Sequence, residues 1–588
     1  MNQTSPYTLR APTPIQLRLS FCEANPRDLK RWIAGLPKAN IGETARQLYQ
    51  GLGELNQLLT PSDNRLQLLE LLRPEVYFVC HHLERHFLHQ AIVLDERSRK
   101  IANLCQALQS QLAIGYKLIV LRIAPKFSKD RITLLTTALQ RASHSLKGPL
   151  VRATQLYCPA PEGLWRELHQ LYRIGCEHHL QQRVIRDDLA SLAGELSLEQ
   201  TYIAALLLST ARCNQLRQNQ IARLAEVLEP WSTWLKLRPG ADGLFAVAPE
   251  LDTGPRYRSM FRAEQKATLQ AFDPQPLVTA IAAHLERNTA VSTPLPVPAG
   301  LNLDTLQHLH AAWGQTAERS FQRTPGQGNL TLCVGMSALH FYLGGERPFS
   351  EMLKHPGARA ADFSTAASKS EKDSWSQAFD AAPGGDANEW LPYEEIQYER
   401  LQDDDEDSVS HPPHYPTYAL PVVNHSPGGY CLAWPREVPA ELQAGEMVGI
   451  QDPTNLGWSI AVVRWVRQVR GDGTQMGIEL VAPHAEPCGL QLVRTQDQHS
   501  QYLRGLLLPE ISAADQPPTL LAPRLPFQEG NKVLINTYGK ERRAGLDRRV
   551  SSTHSFNQFA YRALDVGQHD NAAKSGVEGE FDSLWGSL

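Results

Sequence analysis

Two groups of residues in this 588-residue chain carry side chains suited to holding a small anion. Arg319 and Arg323 stand four apart in Arg319-Ser320-Phe321-Gln322-Arg323. A guanidinium offers two parallel donors to an oxyanion and stays charged throughout the physiological range. The second group is Asn424-His425-Ser426-Pro427-Gly428-Gly429, where the lead-in Ala419-Leu420-Pro421-Val422-Val423 meets a turn and apolar alternation resumes beyond it. This pattern predicts two strands joined at a sharp, exposed corner. Glycine opens backbone angles closed to other residues, and Asn424 and Ser426 can turn donors and acceptors towards a ligand. Arg258 and Arg262 repeat the arginine spacing with no clear strand behind them. Arg319 and Arg323 instead close a helix and lead into Leu330-Thr331-Leu332-Cys333-Val334-Gly335-Met336, an apolar run continuing to Tyr342 and Leu343.

Elements must hold these groups in place, and the chain is long enough for about three or four domains. From Asn25 to Leu235 apolar spacings of three and four predict helix upon helix. Asn25-Pro26-Arg27-Asp28 and Thr60-Pro61-Ser62-Asp63 read as helix starts with a capping side chain, a proline and a first-turn carboxylate. Ser197-Leu198-Glu199-Gln200 reads as a capping box, and Ile132, Leu135, Leu139, Ala142 and Leu146 line one helical face. Arg73-Pro74 and Ala124-Pro125 read as helix stops. The expected divisions are a helical bundle or solenoid at 1–235, a mixed segment and linker at 236–300, a β-barrel at 301–500 and a second small β-domain with its tail at 501–588. Within the barrel a segment at about 355–410, poor in apolar residues and carrying Asp403-Asp404-Asp405-Glu406-Asp407, reads as a disordered insertion. The tail beyond Asp565 reads as frayed.

Several chemistries find little support. A net charge of −4 gives no basic field for general nucleic-acid binding. No apolar run approaches a membrane span, and the first residues lack the pattern of a secretion signal, so a cytoplasmic protein without membrane insertion is expected. Nine scattered cysteines without a CxxC read as reduced thiols. His82 and His86 have the spacing of metal ligands, and Glu177-His178-His179 adds a second cluster. The nearby glutamate is misplaced for HExxH and no third ligand is evident, so no metal is assigned. No nucleophile–base pair, glycine-rich phosphate loop or paired carboxylates in an apolar setting suggests catalysis, and neither catalytic residues nor a cofactor are assigned.

The arginine pair before a first strand, the corner Asn424-x-Ser426-x-x-Gly429, and the later segments Val463-Arg464-Trp465 and Gly477-Ile478-Glu479 together resemble a PilZ domain over about a quarter of the chain. That resemblance implies a small antiparallel barrel that binds the bacterial second messenger cyclic di-GMP. It implies Arg319, Arg323, Asn424, Ser426 and Gly429 as ligand-binding residues, with Gly428 and Arg464 as further candidates. The chemistry agrees: arginine bonds a phosphate or the O6/N7 edge of guanine with paired donors and stacks on bases. The sequence departs from the family in the long segment between the arginines and the corner, so one barrel with an insertion is expected, two separate domains being the other arrangement. The fold class is thus multidomain α plus β. The expected function is a cyclic di-GMP receptor acting on an unknown protein partner through its helical region. The rivals are a degenerate PilZ scaffold that binds no nucleotide and an enzyme using the helical histidines.

Overall fold

The computed structural model describes residues 7–564 apart from 191, 241, 267, 287–294, 299, 315–321, 355–414, 436–437, 454, 470–472, 494–500 and 511–516. Local chemistry sets the helical part where the sequence predicts it. Asn25 caps Pro26–Ala34 by accepting from the Asp28 amide, and both halves of the Ser197/Gln200 capping box form at Leu198–Thr210. Helices Ser62–Glu84, Glu96–Ile123 and Ile132–Gln155 pack together, with Leu135, Leu139 and Ala142 wholly buried.

Two expectations fail here. Pro74 does not stop its helix but sits inside Ser62–Glu84. Leu68, Leu69, Leu72, Val76, Val79 and Leu83 are buried on both sides of it, so packing offsets the roughly 3 kcal/mol an internal proline costs. Thr60 makes no cap; Ser62 begins the helix, and the Thr60 hydroxyl accepts from Asn64 Nδ2 at 2.9 Å.

Between these helices lies a buried charge network. Arg73 grips Asp187 with bonds of 2.7 and 2.8 Å, Arg141 reaches Asp187 at 3.0 Å, and His144 stands 3.3 Å from Glu229. Burial alone would raise the Asp187 carboxyl, but Arg73, His144 and Arg141 hold it well below the usual range. Lys147 and His144 likewise outweigh burial at Glu229 and bring it down to about 2.

A small four-stranded sheet (238–272) and helices Gln275–Leu285 and Leu303–Gly314 lead to the first barrel. Its ring runs Gly429–Trp434, Gly473–Ala482, Asn455–Val469, Met447–Asp452, Asn329–Val334 and Thr417–Ser426, which pairs back onto Gly429–Trp434. A two-residue arm, Thr324–Pro325, pairs outside Thr417–Ser426. Asn329–Val334 and Thr417–Ser426 are direct neighbours, in register from Asn329/Pro421 to Cys333/Thr417. The parts of the chain before and after the long segment therefore build one barrel. Its core, including Leu332, Leu420, Leu432, Val463 and Ile478, is continuous with that of the helical region.

The apolar run from Leu330 does not stay extended to Leu343. Gly335, at φ +86°, ends the strand, and Gly335–Leu343 is a helix. Leu339 and Ala338 pack between Met447 and Ile460 of the first barrel and Leu506 and Leu521 of the second. A second short helix, Phe349–Leu353, precedes the expected insertion, because Phe349, Met352 and Leu353 have an apolar site beside Tyr502 to fill. The 355–410 insertion lies outside the described residues.

The second barrel closes in the order Glu486–Leu492, Leu503–Leu508, Thr519–Pro523, Phe556–Ala563, Lys540–Ser552, Lys532–Thr537. It starts with Glu486, upstream of the 501 boundary set by composition. Among the described residues no helix is long and apolar enough to cross a membrane.

Candidate functional site

The corner is a tight hairpin. Ser426 pairs with Gly429 and Asn424 with Cys431, leaving Pro427 and Gly428 as the turn. Gly429 is required by contact: a Cβ there would lie 2.0 Å from the Ile478 carbonyl oxygen on the neighbouring strand. The arm brings an arginine to this corner. Thr324 pairs with His425 and Pro325 with Asn424, and the Gly326 amide donates to Val423 O at 3.1 Å. A Cβ on Gly326 would stand 2.4 Å from Val422 Cγ1, so glycine lets the arm lie flat. Arg323, one residue before the arm, consequently shares a cleft of about 370 Å³ with Asn424, Ser426, Gly428 and Gly429.

Arg464, Trp465, Gly477 and Glu479, on the next strands of the sheet, complete the cleft. In a regular strand Arg464 and Trp465 would point to opposite faces. The ladder between Asn455–Val469 and Gly473–Ala482 shifts register between Val463 and Trp465, and this bulge gives both residues to the cleft while Val463 and Val466 stay buried. The indole lies against Gly477, where a Cβ would stand 2.0 Å from Trp465 Nε1. The Arg467 guanidinium stands 5.2 Å from the Trp465 ring and donates to Gln475 Oε1 at 2.7 and 3.2 Å. Arg464 Nε donates to Glu479 Oε2 at 2.5 Å in a half-exposed pair. Burial pushes the Cys431 thiol up, partly countered by the charges of Arg467 and then Arg323.

Of the residues singled out from the sequence, the cleft unites Arg323, Asn424, Ser426, Gly428, Gly429 and Arg464. Arg319 lies outside the described residues. Trp465, Gly477 and Glu479 were within the quoted strand segments but had no assigned role. The signal for Trp465 was its place beside Arg464, and the bulge that makes it useful is invisible in sequence. The histidines of the helical region face other tasks: His82 shares a hydrogen bond with Phe78 O and His81 stands 3.9 Å from Glu84.

Three family models match this chain: the N-terminal domain of the cyclic-di-GMP receptor FimW over residues 27–241, its middle PilZ domain over 244–487, and its C-terminal β-barrel domain over 488–564. A curated protein of Pseudomonas aeruginosa, described as cyclic-di-GMP receptor FimW, is 56% identical over an alignment of 610 residues that covers 100% of both chains. No solved structure matches.

Proposed function

The chain belongs to the FimW family of cyclic-di-GMP receptors, and from that premise we propose that it binds cyclic di-GMP in the Arg323–corner cleft. The observation that carries this reading is the pairing of the arm with the corner strand, which delivers Arg323 to Asn424 and Ser426 from a distant part of the chain. Arg323 supplies paired donors to a phosphate or guanine edge, and Asn424 and Ser426 add single hydrogen bonds. Gly428 and Gly429 let the ligand approach the backbone. Trp465 offers a face on which a base stacks. Arg319 belongs to the same assignment. Arg464 joins the ligand by exchanging Glu479 for a phosphate.

Occupancy reaches the helical region through the Asn455–Val469 strand. Val463, next to Arg464, exchanges hydrogen bonds with Gly445 and Glu446 (2.7 and 2.9 Å). The Glu446 carboxylate accepts from Arg217 of the helical region at 3.2 Å and from Ser555 of the second barrel at 2.6 Å. Ligand thereby biases how the three parts sit together and how the helical region meets a protein partner. The protein acts in the cytoplasm as a receptor, with no catalytic step and no cofactor.

Calorimetric titration with cyclic di-GMP tests this reading. Saturable binding is expected, weakened about tenfold to a hundredfold by loss of either arginine, which corresponds to roughly 1.4–2.7 kcal/mol. Absence of binding by the parent chain overturns the receptor reading, and undiminished affinity in an Arg319→Ala/Arg323→Ala variant overturns the site.

A further inference from the structure

The helical region contains a buried arginine whose donors are only partly used. Arg152, in the last turn of Ile132–Gln155, is 4% exposed, and its Nη2 donates to Gln109 Oε1 at 2.9 Å. Its Nε and Nη1 are buried without a hydrogen-bond partner; the guanidinium stands 5.9 Å from the Phe87 ring, and its charge partly counters the upward push of burial on the Glu84 carboxyl. The other buried arginines contrast with it: Arg73 and Arg141 hold Asp187, and Arg65 donates to the carbonyls of Leu55 and Leu58. A buried guanidinium with unfilled donors is unfavourable unless something supplies acceptors.

Arg152 lines a pocket of about 350 Å³. Arg99, Asn103 and Gln106, spaced four and three apart on Glu96–Ile123, line it together with the apolar Leu94, Ala102 and Leu156. Among the described residues no acidic side chain lines it. Two arginines, three amides and several apolar side chains in a pocket larger than a bare phosphate ion match an amphipathic anion.

We propose that this pocket is a second ligand site, taking a small organic anion whose oxyanion head bonds Arg152 and Arg99 and whose apolar body lies against Leu94, Ala102 and Leu156. Gln468 of the first barrel closes one side of the pocket, and its Nε2 donates to Ile92 O at 2.8 Å and Leu156 O at 3.2 Å. The bound anion therefore sits where the barrel strand is clamped to the helices. The site is separate from the Arg323 cleft and does not depend on what that cleft binds.

Hydrogen-exchange mass spectrometry of the full chain, titrated at constant ionic strength with phenyl phosphate, benzoate, inorganic phosphate or chloride, tests the assignment. Saturable protection of 99–106 and 150–158 is expected with phenyl phosphate or benzoate, and which of the two is tighter distinguishes a phosphate from a carboxylate head. The midpoint should rise about tenfold or more in Arg152→Gln and about threefold in the exposed Arg99→Gln. It should not move in Arg323→Ala, which separates this site from the cleft. Should Arg152→Gln fail to fold, Arg99→Gln and Gln106→Ala decide the matter, and full affinity in both overturns the proposal. So do an absence of protection with all the aromatic probes and equal protection by chloride.

Discussion

Each barrel has a hairpin with a two-residue turn and an asparagine beside it, and the asparagine of the first lines the Arg323 cleft while that of the second is buried. In the second barrel Thr537 pairs with Lys540 around Tyr538 and Gly539, and Asn536 precedes them. Asn536 is fully buried; its amide donates to Leu353 O at 3.3 Å and its carbonyl accepts from the Gly539 amide at 2.9 Å. The Phe349–Leu353 helix and Lys354 cover this turn. In the first barrel Asn424 is half-buried at the cleft, and its side chain has no intramolecular partner among the described residues. The surroundings thus spend the hydrogen-bonding capacity of one asparagine and leave that of the other open to the cleft. The arginines divide the same way: Arg542 and Arg543 lie exposed along the Lys540–Ser552 strand, whereas Arg323 is delivered by an arm to a concave surface.

The strongest way to break this contrast is Gly429→Val. The added side chain collides with Ile478 O, so cyclic di-GMP affinity in calorimetry should fall by well over about a hundredfold, with a loss of thermal stability. Next comes the arginine comparison: Arg323→Ala should cost about tenfold to a hundredfold in affinity, and Arg542→Ala should stay within about twofold, although both remove one arginine. Equal losses would mean that net charge, not placement, governs binding. Exchanging the asparagines sharpens the point. Asn536→Ala should lower stability in chemical denaturation by about 1–3 kcal/mol and leave affinity intact, while Asn424→Ala should leave stability intact and weaken binding about threefold to tenfold.

The smallest effect lies outside both barrels. Glu229 is depressed to about 2 in the folded helical region, so its stabilisation is complete above the ordinary carboxylate range and is lost as pH falls through the folded value. From Glu229 alone the loss by pH 4.5 is under about 0.5 kcal/mol, growing as pH approaches 2. Acid melts should weaken the helical region in that window, with Glu229→Gln flattening the dependence. A parallel slope in the variant would place the acid sensitivity at Asp187, which is depressed in the same direction.

Much of the architecture was legible because local rules act within a few residues. The Ser197/Gln200 box and the Asn25 cap formed as read, the strands of the corner lie where alternation placed them, and the ladder strands lie where the family resemblance put them. The errors arose where burial far along the chain outweighed local preference. Pro74 stays helical because its neighbours are packed on both sides, and 335–343 turns helical because two barrels need a wedge between them.

Residue types and order alone determined the helical run at the start, the polar corner with its glycines and the existence of an arginine spacing suited to an oxyanion, while the barrel was what the family resemblance implied. Tertiary structure brought Arg323 to the corner, by pairing Thr324–Pro325 with the strand ending at Ser426. It also decided that Arg464 and Trp465 share one face, through a bulge set by the neighbouring strand, and that Asn536 is consumed while Asn424 is not. The reason is physical: propensity and capping depend on near neighbours, whereas strand register, bulges and the spending of hydrogen bonds depend on partners that only the folded chain brings together.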